Sequence, residues 1–445
     1  MASKSSRTLS RRSILKTAAV AAVGGGAAAL IGAEAMAAQG PAPAIRTGSQ
    51  AGRKFRAFVK WNADPASIQE VTLRPISRRQ IVVRTEAAQA CYTLVTDGLT
   101  RGDSPQRATI MGHGGVGIVE AVGPQVIRIQ VGDRVLVNQR AQCGSCYNCL
   151  RMRADKCLIS GGSVDLVAIA DMGSTPVFSP LGGFADLMVV HEEQAVPVFT
   201  SVAPDQLAQL NCVSNCGLAT TMTLAPIEVA SDVVVFGAGP VGLSAIQGAR
   251  IKGASQIIVV EPIRYRRELA LKLGATTALD PNVEGENLVK HIQELCTSKI
   301  AKTDRRWAGG GHIGPDHIIE AVGGDRLPPK TEKGPDPSGV QVLQQCWELG
   351  SQIGTIVTTS VGHPAGAKVQ IPASQWADGA KHHLPGTMGG CNPRRDSPRF
   401  IRLIETGQFD MKSISTATFP FDRVKDAFQA AADRTTVSAS VVFHA

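Results

Sequence analysis

The 445-residue sequence is poor in aromatic residues and shows no internal repeat. Aromatic side chains make up only 4% of it, so aliphatic residues and alanine must fill the core. The net charge is +9; five basic residues and one acid within residues 1–37 account for +4 of this, which leaves +5. No Lys/Arg run with interleaved aromatics is present, and this scattered charge excludes a nucleic-acid-binding surface. A size of 445 residues suits two domains.

The first 37 residues have the features of an export signal. Paired arginines, Arg11-Arg12, precede an Ala/Gly/Val-rich stretch that ends at the small-residue site Ala35-Met36-Ala37. This pattern predicts a twin-arginine signal and a periplasmic or otherwise exported protein that uses the twin-arginine export machinery. A membrane anchor is the alternative, but the apolar stretch is shorter than the ~20 residues that a spanning helix needs. Residues 38–51 are predicted to form a flexible leader.

Three regions of the mature chain differ in their hydrophobic pattern. Residues 52–216 contain short alternating runs separated by glycine, which predict a β-rich domain. Residues 217–365 alternate apolar strands with helical patterns, and this predicts βαβ units with a doubly wound parallel sheet. Within them, Gly323 to Gly339 is rich in Pro, Lys and Asp and is predicted to be a loop insertion. Residues 366–445 are predicted to rejoin the first domain, so the fold class is α/β.

A glycine-rich loop follows the apolar strand Val233 to Phe236 and opens a helix. Gly237 permits a tight turn, Gly239 lets the backbone approach a pyrophosphate, and Gly242 lets the helix pack on the strand. The loop residues predicted to bind a dinucleotide are Gly237, Gly239, Pro240, Val241 and Gly242. Glu261 ends the next strand, where a carboxylate binds a ribose hydroxyl and repels a 2′-phosphate. The sequence therefore predicts NAD rather than NADP as the cofactor. The alternative to a dinucleotide site is a glycine loop that binds no ligand.

Cysteines form the most specific local pattern in the sequence. Four of them lie within 15 residues and can surround one tetrahedral zinc ion: Cys143, Cys146, Cys149 and Cys157. Disulfides are the alternative in an exported chain, although cysteines three residues apart rarely bridge well. A second, dispersed set has the distribution typical of a catalytic zinc site, with plain core residues as the alternative that spacing alone leaves open: Cys91, His113 and Cys216. The remaining cysteines are interpreted as core residues: Cys212, Cys296, Cys346 and Cys391.

These motifs together resemble the zinc-containing medium-chain alcohol dehydrogenase family, from about residue 55 to the C-terminus. The resemblance is carried by Gly112-His113-Gly114 with the glycine-rich strand after it, by the four-cysteine segment, by Cys216-Gly217 and by the glycine loop. It implies a GroES-like catalytic domain beside a Rossmann cofactor domain.

The resemblance also implies the chemistry of the site. Cys91, His113 and Cys216 would be the catalytic-zinc ligands, and Thr93 the hydroxyl that passes the substrate proton. With the four-cysteine lobe, this gives two zinc ions per chain. Zinc lowers the pKa of the alcohol, and hydride passes to the nicotinamide. The substrate would be an alcohol, polyol or carbonyl compound, and the protein a homo-oligomer.

Several positions depart from the pattern of the family. Gly114 stands where a carboxylate usually follows the catalytic histidine, and Leu94 where an aspartate usually follows the relay hydroxyl. Thr96 stands where many members continue the relay with histidine, and the last strand has Ser438 and Ser440 in place of a basic residue. Such carboxylates orient metal ligands, so their absence bears on zinc affinity and proton transfer.

Several functions remain open at this point. The leading hypothesis is a zinc alcohol dehydrogenase, and the alternatives are an aldehyde or ketone reductase of the same family and a zinc- or nucleotide-binding protein that has lost catalysis. A metal-free quinone reductase relative is disfavoured by the intact four-cysteine segment. Because an exported enzyme meets no obvious NAD pool, a further hypothesis is a nicotinoprotein, which keeps its NAD bound and is exported with it.

Overall fold

The computed structural model describes residues 50–159, 167–297, 314–351 and 353–443. The strands are β1 Lys54–Lys60, β2 Ser67–Leu73, β3 Gln80–Gln89, β4 Ala108–Ile110, β5 Gly115–Val122, β6 Arg134–Val137, β7 Ala168–Met172, β8 Thr175–Phe178, β9 Leu187–His191, β10 Ala195–Pro197, β11 Asp232–Phe236, β12 Gln256–Val260, β13 Thr277–Leu279, β14 His317–Glu320, β15 Thr355–Thr358, β16 His382–Pro385, β17 Ser415–Pro420 and β18 Ser438–Val442. The α-helices are α1 Val95–Leu99, α2 Pro204–Leu207, α3 Val213–Ala219, α4 Pro240–Ile251, α5 Arg264–Leu273, α6 Pro281–Glu284, α7 Leu288–Cys296, α8 Val340–Leu349, α9 Ala373–Asp378, α10 Pro393–Glu405 and α11 Val424–Asp433.

The β-rich domain consists of a closed barrel and a second sheet. Strand β3 belongs to the second sheet, and one of its faces packs against the barrel. The barrel has the order β1-β2-β7-β8-β4, and the second sheet runs β10-β6-β5-β3-β18-β17 with β9 also paired to β3. Successive side chains of β3 point to opposite faces of the sheet: Val82 packs into the barrel core, and Ile81 and Val83 pack on the other face. Both faces of this strand are therefore buried. Strands β17 and β18 come from the end of the chain, so the C-terminal segment returns to this domain.

A parallel sheet forms the core of the other domain, with the order β13-β12-β11-β14-β15-β16. Both faces of its central strand are buried: Val233 and Val235 pack into one cluster, and Val234 and Phe236 into another. Burial on both faces is why this strand is a continuous apolar run rather than an alternating one. The predicted α/β fold, a GroES-like domain beside a doubly wound sheet, is confirmed.

One predicted boundary needs correction. The cofactor domain was expected to end at residue 365, but strand β16 pairs with β15 as the edge of the parallel sheet and extends it to Pro385. The histidine-containing sequence of β16 has no apolar run, and its side chains are mostly exposed. An exposed edge strand of this kind carries no hydrophobic signal that sequence reasoning could detect.

The predicted signal, residues 1–37, lies outside the described residues, as does nearly all of the predicted leader, residues 38–51. In the part of the chain that the structure does describe, no helix combines the length and the apolar character needed to cross a membrane.

Candidate active site

Three donor side chains from distant parts of the chain meet at one point. Cys91 follows strand β3, His113 lies in the loop between β4 and β5, and Cys212 immediately precedes helix α3. One ligand atom from each lies within 4.8 Å of the others, and both cysteines are buried. The β-rich domain therefore supplies two thiols and one imidazole that can share a single metal ion.

The third donor differs from the one predicted. The cluster contains Cys212, which was interpreted as a core residue, and not Cys216. Cys212 has non-helical backbone angles and caps the helix, whereas Cys216 lies one turn inside it, roughly 6 Å further along the axis. There the Cys216 thiol is buried near Thr359, and burial raises its pKa to about 12. The position of the helix start therefore places Cys212, and not Cys216, at the cluster.

The motif Cys216-Gly217 has a packing role in this structure. A Cβ at Gly217 would overlap the carbonyl oxygen of Val241 and the side chain of Ser244, both on helix α4. Glycine at this position therefore lets α3 pack closely on the helix that begins at the glycine loop. The motif that resembled a ligand segment instead fixes the metal-bearing segment against the cofactor domain.

Hydrogen bonds hold the three donors in place. The Sγ of Cys212 lies 3.7 Å from Nδ1 of His113, and Asn211 donates from Nδ2 to the His113 carbonyl oxygen at 3.3 Å. Thr93 Oγ1 lies 3.1 Å from Cys91 Sγ. Hydrogen bonds from Cys212, His113 and Thr93 hold the pKa of Cys91 well below its usual value, although burial opposes this. Asn211 and Cys212 were both missed by sequence reasoning.

The glycines on either side of His113 explain one departure from the family pattern. Gly112 and Gly114 both have positive φ, +122° and +91°, a region that favours glycine. A Cβ at Gly114 would also overlap the carbonyl oxygen of Val137 on strand β6. A carboxylate after the histidine therefore cannot fit this backbone. At the other departure, Leu94 packs against an apolar cluster of the β-rich domain.

The donor set fits zinc. Two thiols and one imidazole are the soft and borderline ligands that zinc prefers, and three protein ligands leave a fourth position for water or substrate. Cys91 and Cys212 share a hydrogen bond that keeps the pKa of Cys212 well above its usual value, so this thiol must lose its proton when the ion binds. With both thiolates formed, their charges balance a divalent ion without any further carboxylate.

The four-cysteine segment closes on itself as predicted for a structural metal. The Sγ atoms of Cys143, Cys146, Cys149 and Cys157 all lie within 4.8 Å of one another. Backbone N–H groups of Ser145 and Cys146 donate to the Cys143 sulfur at 3.5 and 3.3 Å. All ten cysteines are free, so the disulfide alternative is not what the structure shows. An ion held by all four sulfurs would have no open position for substrate, so this arrangement suits a structural metal.

The glycine loop has the shape that a pyrophosphate needs. Gly237 has φ of +90°, and a Cβ at Gly242 would overlap the Gly237 carbonyl oxygen, so both positions require glycine. At Gly239, in contrast, the nearest atom to an added Cβ is Nη1 of Arg266 at 3.9 Å. Gly239 begins helix α4, and no side chain caps the free N–H groups there. Open space at a helix N-terminus beside a guanidinium suits a phosphate.

Glu261 lies beside this loop and is already bound to backbone. Its carboxylate accepts hydrogen bonds from the N–H groups of Ala238 at 2.6 Å and Ile263 at 3.0 Å. The residue is 4% exposed. Each carboxylate oxygen has a second lone pair, so the predicted contact with a ribose hydroxyl remains available. The same fixed negative charge opposes a phosphate at that position.

One cavity extends from Cys91, one of the three clustered donors, to the glycine loop. Cys91 and Thr93 line it on the β-rich side, and Gly239, Val241 and Glu261 line it on the other. A dinucleotide at the loop and a substrate at the metal would therefore share one space. A doubly wound parallel sheet with a glycine loop beside such a cavity is typical of dinucleotide-binding enzymes, and the donor cluster adds a site that fits a metal ion.

Comparison with known proteins identifies the family. The family model for the alcohol dehydrogenase GroES-like domain matches residues 77–200, and that for zinc-binding dehydrogenases matches residues 240–330. Geraniol dehydrogenase from Castellaniella defragrans is 30% identical over 402 residues, which cover 87% of this chain and 97% of that protein. The chain therefore belongs to the zinc-containing medium-chain alcohol dehydrogenase family.

Solved structures show the same fold. Benzyl alcohol dehydrogenase from Acinetobacter calcoaceticus aligns with a TM-score of 0.72 at 24% identity, covering 88% of this chain and all of that one. A zinc-binding dehydrogenase from Sinorhizobium meliloti, solved with NADP bound, aligns with a TM-score of 0.64 at 23% identity and covers 88% of this chain and 99% of that one.

Proposed function

We propose that this protein oxidises an alcohol to an aldehyde or ketone with NAD, using zinc held by Cys91, His113 and Cys212. The observation that supports this most strongly is the single cavity lined by Cys91, Thr93 and the glycine loop. When bound, zinc supplies Lewis acidity toward an alcohol oxygen, and NAD accepts the hydride that leaves the alcohol carbon. The same site would reduce a carbonyl compound with NADH, so the direction depends on the redox state of the cofactor.

The residues of the chain supply positioning and proton transfer. Free N–H groups at the start of helix α4 would bind the pyrophosphate at Gly239, and Glu261 would accept a ribose hydroxyl. The negative charge of Glu261 favours NAD over NADP. Thr93 Oγ1, which lies 3.1 Å from the Cys91 sulfur, is placed to accept the proton that the alcohol hydroxyl loses while it passes its own proton on to water.

Replacing Thr93 with valine tests this proton-transfer role. The two side chains have the same shape, so Thr93→Val should keep both zinc ions and the fold while kcat falls by about 10²-fold, because general acid–base catalysis typically contributes 10²–10⁴. Thr93→Ser should recover most of the activity. The measurement is NADH formation with a panel of primary and secondary alcohols. Unchanged kcat in Thr93→Val would remove Thr93 from the mechanism.

The panel also tests the function itself. We expect the wild-type protein to reduce NAD with at least one alcohol and to be inhibited when a chelator removes the metal. If the zinc-loaded protein reduces neither NAD nor NADP with any alcohol, and oxidises neither NADH nor NADPH with any aldehyde or ketone, the proposed function is wrong. Of the two missing carboxylates, the one at Gly114 is excluded by backbone geometry, so its absence does not itself indicate lost catalysis.

We further propose that the enzyme is exported already folded and carries its NAD with it, and that a second substrate or an electron acceptor reoxidises the bound NADH in place. The support is the sequence pattern of residues 1–37 combined with a cofactor site in the same chain. Replacing Arg11-Arg12 with two lysines should leave the protein in the cytoplasm. Intact-complex mass spectrometry of the exported protein should show one NAD per chain after mild dialysis. Quantitative loss of NAD under that dialysis would contradict the retained cofactor.

A further inference from the structure

Residues 324–339, called the strap below, connect strand β14 to helix α8 and line the same cavity as the glycine loop. The sequence predicts this Pro- and Lys-rich stretch as a loop insertion, and neither the metal cluster nor the glycine loop gives it a role. The strap residues that line the cavity are Gly324, Asp325, Arg326, Gly334, Pro335 and Asp336. The strap therefore forms part of the wall around the proposed dinucleotide site.

One end of the strap is attached to the cofactor domain. Glu332 accepts a hydrogen bond from the Arg264 N–H at the start of helix α5, at 3.3 Å. Asn282 donates from Nδ2 to the Lys333 carbonyl oxygen at 2.9 Å. The Asp336 carboxylate accepts hydrogen bonds from the N–H groups of Ser338 and Gln341, both at 2.8 Å. These bonds fix the turn that leads into helix α8. This end lies beside the elements that follow Glu261.

The other end is attached to the β-rich domain, next to the metal cluster. Tyr92, the neighbour of Cys91, accepts hydrogen bonds at its hydroxyl from the N–H groups of Arg326 at 2.8 Å and Leu327 at 3.3 Å. Asp325 forms an ion pair with Arg434, and the Arg434 guanidinium lies over the Tyr92 ring, 5.2 Å from its centre.

A second ion pair lies further along the strap. Lys330 pairs with Asp433 at 2.8 Å, and its backbone N–H donates to the Asp433 carbonyl oxygen at 3.1 Å. Asp433 ends helix α11 of the C-terminal segment. The strap is therefore held at several points on the β-rich side as well.

We propose that the strap closes over the dinucleotide and that Tyr92, Asp325 and Arg434 form a latch that limits its release. The inference rests on the proposed function, because it needs a dinucleotide in the cavity. The strap is attached on both sides of that cavity, so the wall it forms beside the glycine loop opens only when one set of attachments breaks. The latch residues are positioning residues: they act on how long the cofactor stays and not on hydride transfer.

The latch gives a physical basis for retaining a cofactor. Arg434 is partly buried, and its pairing with Asp325 holds the pKa of this guanidinium above its usual value against the effect of burial. Partly buried, hydrogen-bonded charge pairs are costlier to break than exposed ones. The Tyr92 hydroxyl adds two backbone N–H bonds that fix the strap in one position. Opening the strap would break these interactions and expose their polar groups to water at the same time.

The experiment measures NADH release from the zinc-loaded, full-length mature protein. Bound NADH is displaced by excess NAD, and the decay of its fluorescence gives the release rate. Tyr92→Phe removes only the hydroxyl and keeps the ring under Arg434. The hydroxyl accepts from the N–H groups of Arg326 and Leu327 and from Arg434, and donates to the Leu327 carbonyl oxygen. Because these bonds are lost together, we expect release to be faster by about tenfold or more. Lys330→Met, on the second attachment and outside the cavity lining, should give a smaller increase.

Tyr147→Phe is the matched control, because Tyr147 is 62% exposed and lies in the four-cysteine lobe. It should release NADH at the wild-type rate. A single-turnover measurement of hydride transfer from alcohol to prebound NAD should be unchanged in Lys330→Met, whose side chain lies outside the cavity lining, which separates release from chemistry. If Tyr92→Phe and Lys330→Met both bind NADH and release it at the wild-type rate, the latch is wrong while alcohol oxidation stands. If the wild type neither binds NADH nor oxidises an alcohol, both proposals fail.

Discussion

Replacing Cys212 with serine is expected to remove one of two zinc ions and nearly all activity. Cys212 contributes one of the three donors that lie within 4.8 Å of one another. A Lewis acid contributes several kcal/mol to the transition state, and about 1.4 kcal/mol corresponds to tenfold in rate, so activity should fall by at least about 10³-fold. Zinc content by atomic emission and turnover with the best alcohol of the panel give the two readouts.

Cys216→Ser is the matched control for this substitution. The same chemical change is made four residues away, at a buried thiol that does not belong to the cluster. It should keep two zinc ions and most of the turnover, with some loss of thermal stability because the site is fully packed. If Cys216→Ser loses zinc and Cys212→Ser does not, the assignment of the third ligand is reversed. The four-cysteine lobe should stay loaded in both variants.

The second large effect is expected at two glycines of the cofactor loop. An added Cβ at Gly242 would overlap the Gly237 carbonyl oxygen, so Gly242→Ala must displace backbone and should destabilise the protein by about 3 kcal/mol or more. Gly239 has an ordinary φ of −71° and open space around an added Cβ. Gly239→Ala should therefore fold normally, keep both zinc ions and bind NAD about tenfold more weakly, since the methyl group occupies the pyrophosphate approach.

Thermal unfolding and NAD titration separate these two outcomes. The expected pattern is a lower melting temperature for Gly242→Ala alone, and a weaker affinity with an unchanged melting temperature for Gly239→Ala. Equal effects of the two substitutions on affinity, with neither affecting stability, would show that the loop does not approach a pyrophosphate as proposed. Full NAD affinity in Gly239→Ala would place the dinucleotide elsewhere.

Most of the fold could be predicted from the sequence because its apolar residues recur with the spacings typical of strands and helices. Strand β11 is a continuous apolar run that is buried on both faces. As the loop pattern predicts, the glycine loop after it opens a helix, which begins at Pro240. Strand β16 was missed as part of the parallel sheet because an exposed edge needs no apolar residues. Local chemistry also predicted that Cys143, Cys146, Cys149 and Cys157 meet, since all four lie in one short segment.

The third metal ligand was predicted as Cys216, whereas the cluster contains Cys212. Cys212 and Cys216 belong to one segment, and a shift of one helical turn decides which of them faces Cys91. The close packing of Gly217 on helix α4, a contact between segments far apart in sequence, fixes that shift. The latch between Asp325 and Arg434 is likewise a long-range contact, and no local pattern indicates it.

The central claim is that Cys91, His113 and Cys212 hold one zinc ion in the cavity that also receives NAD. Crystals of the zinc-loaded protein with NAD, measured on both sides of the zinc absorption edge, test it directly. The expected anomalous map has two peaks per chain, one within the four-cysteine lobe and one about 2.3 Å from each of the two cysteine sulfurs and about 2.1 Å from the histidine nitrogen. A single peak confined to the lobe, or a second peak bound to Cys216, would contradict the claim.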